Sequence, residues 1–287
     1  MDGATVLITG GNAGLGLATA RGLARRGARV VITARDPAKG AAAADDVRAA
    51  APGATVEVLD LDLASFASIR RCAAEALERI ERLDVLVNNA GLVLTEFRLT
   101  ENGFEMTFGV NHLGHFLLTS LLADRLRASA PARVVVVTST GHRYTAGGLD
   151  FDDLQSERGY QPFIAYGRSK LANIYFTREL ARRMAGTGVT ANSVHPGFVG
   201  TRFGKDGDGG KAGAVLMSLT RPFALSPARG ARTSIYLASS PDVADTTGEY
   251  FTRCRAVKPS RLATDDAAAR RLWEVSEALI ASPPDPG

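Results

Sequence analysis

The sequence predicts an α/β protein in which a doubly wound parallel sheet of seven strands is flanked by helices. Short, continuous apolar runs alternate with stretches whose apolar residues recur every three or four positions, the patterns of buried strands and of helices. Strands separated by helices along a chain lie parallel and are joined by right-handed crossovers. With 287 residues, 45% of them hydrophobic, the chain can form one large domain.

The strands are predicted from runs such as Thr5–Ile8, which is apolar throughout, as expected for a strand buried on both faces. Val134–Val137 is the most β-branched run. Gly27 is expected to end the first helix and Pro37 to begin the second. The other predicted strands are 29–33, 55–59, 83–87, 189–194 and a short one at 249–251, and further helices are predicted at about 66–80, 108–127, 163–184 and 272–279.

Composition excludes several classes of function. The formal net charge is +4, and the arginines are scattered without a run of five like charges, so we expect no nucleic-acid partner. The sequence contains no run of 18 apolar residues and no visible signal peptide, which predicts a protein without a membrane span. Cys72 and Cys254 form no motif and are expected to be reduced thiols, in keeping with a cytoplasmic location.

A glycine-rich turn follows the first strand in the segment Thr9-Gly10-Gly11-Asn12-Ala13-Gly14-Leu15-Gly16. Glycines at a strand-to-helix junction let a pyrophosphate approach the backbone, where the helix N-terminus offers free N–H groups. A tight turn uses glycine too, but the position between the first strand and the first helix favours dinucleotide binding and hence a Rossmann fold. The predicted cofactor contacts in this turn are Gly10, Asn12, Gly14, Leu15 and Gly16.

The residue after the second strand bears on the choice of cofactor. An acidic side chain there would bind the ribose 2′-hydroxyl of NAD, whereas this strand ends in Ala34-Arg35. A guanidinium can bind a 2′-phosphate, which predicts NADP(H). Arg35 can also be a solvated surface residue, and Asp36 can partly neutralise it.

Tyr166 and Lys170 are four residues apart in a predicted helix and therefore share one face. A phenol has a pKa near 10 and is a poor acid–base group at neutral pH, but a neighbouring ammonium lowers that pKa. This spacing also occurs by chance in many helices. In a nucleotide-binding protein it predicts an acid–base catalyst, with the same lysine able to bind the nicotinamide ribose.

Several motifs together resemble those of the short-chain dehydrogenase/reductase family. They are T-G-x-x-x-G-x-G at Thr9–Gly16, N-N-A-G at Asn88–Gly91, Y-x-x-x-K at Tyr166–Lys170 and P-G-x-x-x-T at Pro196–Thr201, in order over about two-thirds of the chain. The segments FGVNHLGHFLLT, FDDLQSE, SKLANIYFTREL and GVTANSVHPG resemble the subgroup of retinol dehydrogenases and related carbonyl reductases.

The resemblance implies the strand order 3-2-1-4-5-6-7 and a catalytic set of four residues. Ser139 falls on the catalytic hydroxyl in the family's register, although Thr138 and Thr140 flank it and a strand-end serine can simply bond the backbone. Asp62 matches an aspartate placed against adenine, but it can equally cap the next helix. The implied catalytic residues are Asn111, Ser139, Tyr166 and Lys170. Further cofactor contacts are implied at Asp62, Leu63, Asn89, Ala90, Gly91, Tyr166, Lys170, Pro196, Gly197, Val199 and Thr201.

The remaining polar residues of these motifs receive structural interpretations. His112 and His115 are three apart with no third ligand, so we expect polar or packing contacts and no metal site. His195 resembles a general base, but Tyr166 already supplies that group, which favours a structural role. In the family, the asparagine at the position of Asn111 lies at a helix irregularity and holds a water that relays protons to the lysine.

The sequence as a whole predicts one domain, with a dinucleotide-binding half at about 1–130 and a catalytic and substrate-binding half at about 131–287. The hypothesis is an NADP(H)-dependent oxidoreductase that reduces a lipophilic ketone or aldehyde, as in secondary metabolism. The alternatives are a retinol/retinal-type dehydrogenase, disfavoured because this sequence starts at its first strand whereas many animal retinol dehydrogenases carry an N-terminal anchor, and a non-catalytic NADP-binding regulator. A dehydratase or epimerase of the same fold is a further rival, and a homodimer is a possible assembly.

Overall fold

The strands and helices alternate along the chain. A computed structural model describes residues 1–145, 147–199 and 224–282. Its strands are β1 (Thr5–Ile8), β2 (Arg29–Ala34), β3 (Val56–Asp60), β4 (Val85–Asn88), β5 (Ala132–Val137), β6 (Val189–His195), β7 (Tyr250–Thr252) and β8 (Arg255–Ala256). Its α-helices are α1 (Gly14–Ala24), α2 (Pro37–Ala50), α3 (Phe66–Arg79), α4 (Met106–Phe108), α5 (Gly114–Ala128), α6 (Pro162–Arg183), α7 (Pro227–Ser239) and α8 (Asp266–Ala281).

The strands form one sheet in the order β3-β2-β1-β4-β5-β6-β7-β8. The first seven are parallel, which confirms the predicted fold class and strand order. The eighth strand was not predicted. It has two residues and pairs antiparallel with β7 through Thr252 and Arg255, a short hairpin at the sheet edge.

The sheet is buried on both faces, because successive side chains of a strand point to opposite sides. Leu7 of β1 packs with α3, α5, α6 and α8 on one face. Val6 and Ile8 pack with α1, α2 and α7 on the other. Complete burial of such aliphatic side chains stabilises the fold by roughly 1.5–3 kcal/mol each. The two-sided core explains why these strands read as continuous apolar runs.

Helix α7 was missing from the sequence-based prediction. It begins at Pro227, with Ser226 capping its N-terminus through a bond from the Arg229 N–H, a start signal that could have revealed it. The helix packs closely on α1, since a methyl group at Gly22 would lie 2.2 Å from Ile235 Cδ1. It supplies the crossover that a parallel connection from β6 to β7 requires.

The C-terminal helix α8 packs against the two long helices α5 and α6. Trp273 packs edge-on against Phe116 of α5, with ring centroids 4.8 Å apart, and stacks with Phe176 of α6 at 5.8 Å. The homodimer stays a prediction. Among the helices within the described ranges, none is long and apolar enough to cross a membrane.

Candidate active site

The glycine-rich turn leads from β1 directly into α1, as predicted. Gly10 adopts a φ of +63°, in the left-handed region that favours glycine. A methyl group at Gly16 would lie 2.3 Å from the Gly10 carbonyl oxygen, so only glycine permits this close contact between turn and helix. No side chain caps the N-terminus of α1, and its first turn contains no acidic residue. The exposed N–H groups therefore fit an anionic ligand such as a pyrophosphate.

Thr9 joins this turn to the loop after β4. Its buried hydroxyl accepts hydrogen bonds from the backbone N–H groups of Asn89 (2.9 Å) and Ala90 (3.0 Å). The Asn89 side chain donates in turn to the Thr9 carbonyl oxygen at 2.8 Å, while its own Oδ1 is buried without a partner among the described residues. An unsatisfied oxygen beside the glycine turn fits a ligand that donates a hydrogen bond, such as a ribose hydroxyl.

Arg35 is exposed at the end of β2 and forms no ion pair within the described part of the chain. Asp36, the possible neutralising partner, instead caps α2 by accepting from the Lys39 N–H, and its carboxylate lies 3.9 Å from the Lys39 ammonium. Asp36 is thus occupied by its own helix and does not neutralise Arg35.

Asp62 does not cap the helix that follows it. Ser65 is the N-cap of α3, whereas Asp62 accepts from the Ala64 N–H at 2.9 Å within its own loop. The capping alternative is therefore wrong, and the adenine contact stays a prediction. The Leu63 side chain is buried in the core beside Gly114, so any contact with a cofactor falls to its backbone.

Ser139 and Tyr166 are brought together at the end of β5. The Ser139 side chain hydrogen-bonds the Tyr166 phenol and also accepts from the Gly141 N–H at 3.1 Å. A methyl group at Gly141 would lie 3.0 Å from the Tyr166 ring, so the turn packs tightly over the phenol. His142 holds this turn by donating from Nδ1 to the Ser139 carbonyl oxygen (2.6 Å) and accepting at Nε2 from the Ser260 N–H (3.1 Å).

Lys170 lies one turn further along α6. Its side chain is 3% exposed, and Nζ lies 5.6 Å from the Tyr166 ring centroid and 3.4 Å from the Val137 carbonyl oxygen. Burial lowers the pKa of Lys170 from 10.5 to about 8, because the low-dielectric interior disfavours the ammonium. The side chain keeps its charge at neutral pH but titrates close to it.

The pKa of Tyr166 departs from the sequence-based expectation. Burial raises this pKa above its ordinary value of 10, and the hydrogen bond from Ser139 opposes the rise. The sequence-based expectation that this pKa lies below 10 is therefore wrong, because burial is the largest effect. The two groups share a helix face, and Nζ lies over the Tyr166 ring and near the Val137 carbonyl oxygen, so its charge favours the phenolate without overcoming burial.

Asn111 lies in a π-helical segment, Gly109–Leu113, between α4 and α5, which matches the expected helix irregularity. Its buried side chain accepts from the Leu92 N–H (2.8 Å) and donates to the Leu92 carbonyl oxygen (2.9 Å) and Ser169 Oγ (3.0 Å). A methyl group at Gly91 would lie 3.0 Å from Asn111 Oδ1 and 3.2 Å from Lys170 Nζ. The Asn and Lys side chains therefore border the same space.

The segment after β6 reaches the site from the other side. Gly197 has a φ of +90°, and Val199 packs against Gly230 of α7, itself next to Leu15 of α1. Pro196 comes directly after the strand, and Thr201 lies outside the described residues. His195 Nδ1 accepts from the Thr140 N–H at 3.4 Å, and burial lowers the pKa of His195 to about 4, which agrees with a structural rather than an acid–base role.

Exposed aromatic side chains lie on the segments next to the catalytic residues. Tyr144 (70% exposed) follows the turn over Tyr166, and Phe163 (67% exposed) lies one turn before Tyr166 on α6. Phe198 (47% exposed) follows Gly197. Arg143 precedes Tyr144 in the same turn, and residues 200–223 lie outside the described part of the chain.

Gly167 was not among the predicted site residues, yet its lack of a side chain is essential to the geometry of the site. A methyl group there would lie 2.5 Å from the Tyr144 carbonyl oxygen and 2.8 Å from that of Gly141. The turn that carries Ser139 can approach α6 only because position 167 lacks a side chain. The reason for a glycine at position 167 is a contact with residues 23 or more positions away, and no local sequence pattern reveals such a contact.

A sheet of this order, with a glycine-lined turn after β1 and a Tyr–Lys pair at the strand ends, is typical of nicotinamide-dependent oxidoreductases. A family profile described as short chain dehydrogenase matches residues 4–150 and 153–209. Retinol dehydrogenase 14 from Homo sapiens is 49% identical over 98% of this chain and 87% of its own length, and retinol dehydrogenase 12 from Mus musculus is 46% identical over 98% and 87%. The chain belongs to the short-chain dehydrogenase/reductase family and is an oxidoreductase that uses a nicotinamide cofactor.

Solved structures agree with this assignment. A crystal structure of an uncharacterized protein from Mycobacterium paratuberculosis has a TM-score of 0.78 and 38% identity, covering 98% of this chain and 95% of its own. The RhlG/NADP active-site complex from Pseudomonas aeruginosa has a TM-score of 0.69 and 30% identity, covering 88% and 94%.

Proposed function

We propose that this protein is an NADP(H)-dependent oxidoreductase that transfers a hydride between nicotinamide and a carbonyl or alcohol carbon of a lipophilic substrate. The observation that carries the proposal is the hydrogen bond between Ser139 and Tyr166, with the buried Lys170 ammonium one turn along the same helix. A structural role alone needs no hydroxyl, phenol and ammonium together at the ends of parallel strands.

The four catalytic residues have separate tasks. Ser139 and Tyr166 bind the substrate oxygen, where negative charge grows during reduction, and Tyr166 donates the proton. Lys170 keeps a positive charge beside the phenol and favours the phenolate that the donation leaves. Asn111 borders the space beside Lys170 and orders a water through which the proton is returned. A bound nicotinamide supplies the hydride, or accepts it in the oxidative direction.

The preference for NADP(H) is supported by Arg35. Its guanidinium is exposed at the end of β2, and the nearest acidic residue in sequence, Asp36, is occupied as the cap of α2. Arginine binds phosphate oxygens through two parallel N–H groups, which the 2′-phosphate offers and a 2′-hydroxyl does not. Most cells keep the NADP(H) pool largely in its reduced form, so a preference for this cofactor favours reduction of a carbonyl.

Three exposed aromatic residues on the segments next to the catalytic residues support an apolar substrate. They are Tyr144, Phe163 and Phe198. Large exposed apolar side chains near a site commonly contact an apolar ligand. The names of the relatives make retinal or retinol one specific candidate, and a polycyclic or aromatic ketone or an alkyl aldehyde is the broader class.

A substrate panel tests this proposal. The protein is assayed with NADPH and with NADH against all-trans-retinal, decanal, an aromatic ketone and, as a polar control, glyceraldehyde, with product identified by chromatography. We expect NADPH-dependent reduction of the lipophilic carbonyls in preference to glyceraldehyde. Preference for glyceraldehyde would contradict the substrate class, equal rates with NADH would contradict the cofactor choice, and cofactor binding without turnover of any carbonyl would favour a regulator. Conversion of a substrate without net cofactor oxidation would favour a dehydratase or epimerase.

A further inference from the structure

His115 is a buried histidine that connects the two halves of the active site. It lies on α5, immediately after the π-helical segment, and is 2% exposed. Its Nε2 lies 2.8 Å from the Thr9 hydroxyl oxygen, and its Nδ1 lies 3.1 Å from the Asn111 carbonyl oxygen. One imidazole ring thus touches both the glycine-rich turn and the segment that holds the catalytic asparagine.

The hydrogen-bond partners determine the tautomer of this ring. A carbonyl oxygen only accepts, so Nδ1 must carry the hydrogen that is donated to Asn111. Nε2 is then the unprotonated nitrogen and accepts the Thr9 hydroxyl hydrogen. Burial and the Lys170 charge lower the pKa of His115 to about 4, so the ring is neutral and keeps this tautomer throughout the physiological range.

The Thr9 hydroxyl is thereby fully used and held in one orientation. It donates to His115 and accepts from the Asn89 and Ala90 N–H groups, the start of the loop that leads to Gly91. Without an acceptor at His115, the remaining acceptor for this hydroxyl in the described part of the chain is the Val87 carbonyl oxygen, at the longer distance of 3.4 Å. The His115 ring therefore determines how firmly the loop 89–91 is held to the glycine-rich turn.

His112, one turn earlier, has no such role although it is equally buried. Its Nε2 lies 2.9 Å from Ser276 Oγ of the C-terminal helix, and its ring also interacts with the Asn173 side chain of α6. The two histidines resemble each other in sequence context and burial, but of the two it is His115 whose ring contacts the cofactor turn.

We propose that His115 is a positioning residue, which orients Thr9 for the cofactor-binding loop through Nε2 and fixes the Asn111 segment through Nδ1. The effect on turnover rests on the proposed function. The effect on cofactor binding rests only on membership of the family, so the two can fail separately.

Two conservative variants separate the two bonds. In His115→Gln the amide reaches the position of Nε2 and preserves the bond from Thr9, whereas in His115→Asn it reaches the position of Nδ1 and preserves the bond to Asn111. We expect His115→Asn to weaken NADPH binding about five- to tenfold, the effect of one lost buried hydrogen bond, and His115→Gln to keep the dissociation constant within about twofold. With a substrate that the wild type reduces, kcat should fall more in His115→Gln than in His115→Asn.

His112→Asn and His112→Gln are the matched controls, because they remove a buried imidazole bonded to α8. They should lower the thermal midpoint of unfolding and keep the NADPH dissociation constant within about twofold of the wild type. Equal changes in both His115 variants, or a loss of stability with both functional constants unchanged, would reduce His115 to a packing role and overturn the proposal.

A measurement on the wild-type protein tests the proposal even if the variants fail to fold. Long-range ¹H–¹⁵N spectra of histidine-labelled protein report which ring nitrogen carries the hydrogen. We expect a neutral His115 with hydrogen on Nδ1 and an acceptor-type shift at Nε2. Hydrogen on Nε2 would be incompatible with the bond from Thr9 and would overturn the proposal without any mutation.

Discussion

The Ser139 side chain hydrogen-bonds the Tyr166 phenol, and this contact opposes the increase in the Tyr166 pKa that burial causes. The pair is held by the turn after β5, where Gly141 packs against the Tyr166 ring. A substrate oxygen placed between the two hydroxyl groups receives both a hydrogen bond and a proton.

Replacing Tyr166 with phenylalanine removes the proton donor and leaves the ring. We expect reduction of an accepted carbonyl to slow by about 10²–10⁴-fold, the usual contribution of a positioned acid–base group, with NADPH binding retained. NADPH absorbance measures the rate. Tyr175→Phe is the control, because this phenol on the same helix donates to the Leu262 carbonyl oxygen and should affect stability only, by about 1 kcal/mol. Turnover by Tyr166→Phe at the wild-type rate would remove Tyr166 from its role.

The pH dependence of reduction should follow Lys170. The pKa of Lys170 is lowered to about 8, while that of Tyr166 is raised above 10, so the ammonium titrates first as the pH rises. We expect kcat/KM to be highest with Lys170 protonated and to fall as the pH passes about 8. In Lys170→Arg, whose charge persists, this fall should disappear whatever the absolute rate. The same fall in that variant would assign it to another group.

Lys170 should also cost stability, since its ammonium is buried. The folded pKa of about 8 lies below the ordinary 10.5, so the unfolded chain binds the proton more tightly, and below pH 8 the full cost applies. Lys170→Met should therefore raise the free energy of unfolding at pH 7 by on the order of 1–3 kcal/mol while abolishing catalysis. Denaturant unfolding measures the gain, which should shrink as the pH rises from about 8 toward 10.5. A destabilised variant at pH 7 would contradict the argument.

Arg35→Asp should shift cofactor preference. It removes a guanidinium from the 2′-phosphate and introduces repulsion, so NADPH binding should weaken by about 10- to 100-fold with little change for NADH. Fluorescence titration with both cofactors measures this ratio. Arg25→Asp is the control, because it makes the same change of charge at an exposed arginine. Arg25 lies at the C-terminal end of α1, away from the glycine-rich turn, and donates to the Ala50 carbonyl oxygen. Equal weakening of both cofactors would count against the 2′-phosphate contact.

Gly167→Ala should disturb the site through packing alone. The added methyl group would lie 2.5 Å from the Tyr144 carbonyl oxygen, which forces the Ser139 turn away from α6. We expect a loss of about 1–3 kcal/mol in the free energy of unfolding and a lower kcat, since Ser139 and Tyr166 separate. Gly159→Ala is the control because, apart from its chain neighbours, no atom of the described residues lies within 4 Å of the added group. A fully active Gly167→Ala would show that the turn tolerates displacement.

The sequence by itself determined the fold class, the seven parallel strands and the motifs that mark the cofactor turn and the Tyr–Lys pair. These are local properties, because burial on two faces and helical spacing can be recognised within short stretches such as Thr5–Ile8 and Tyr166–Lys170. Helix α7 also had a local start signal at Ser226-Pro227, which the apolar pattern alone did not reveal.

Only the tertiary structure decided which groups touch. The hydrogen bond between Thr9 and His115 joins residues 106 positions apart. Gly91 lies close to the side chains of both Asn111, in the π-helical segment, and Lys170, in α6. The direction of the Tyr166 pKa shift likewise depends on burial, which outweighs the hydrogen bond from Ser139, a residue 27 positions away. Contacts and desolvation arise from packing among distant segments, and no local pattern encodes them.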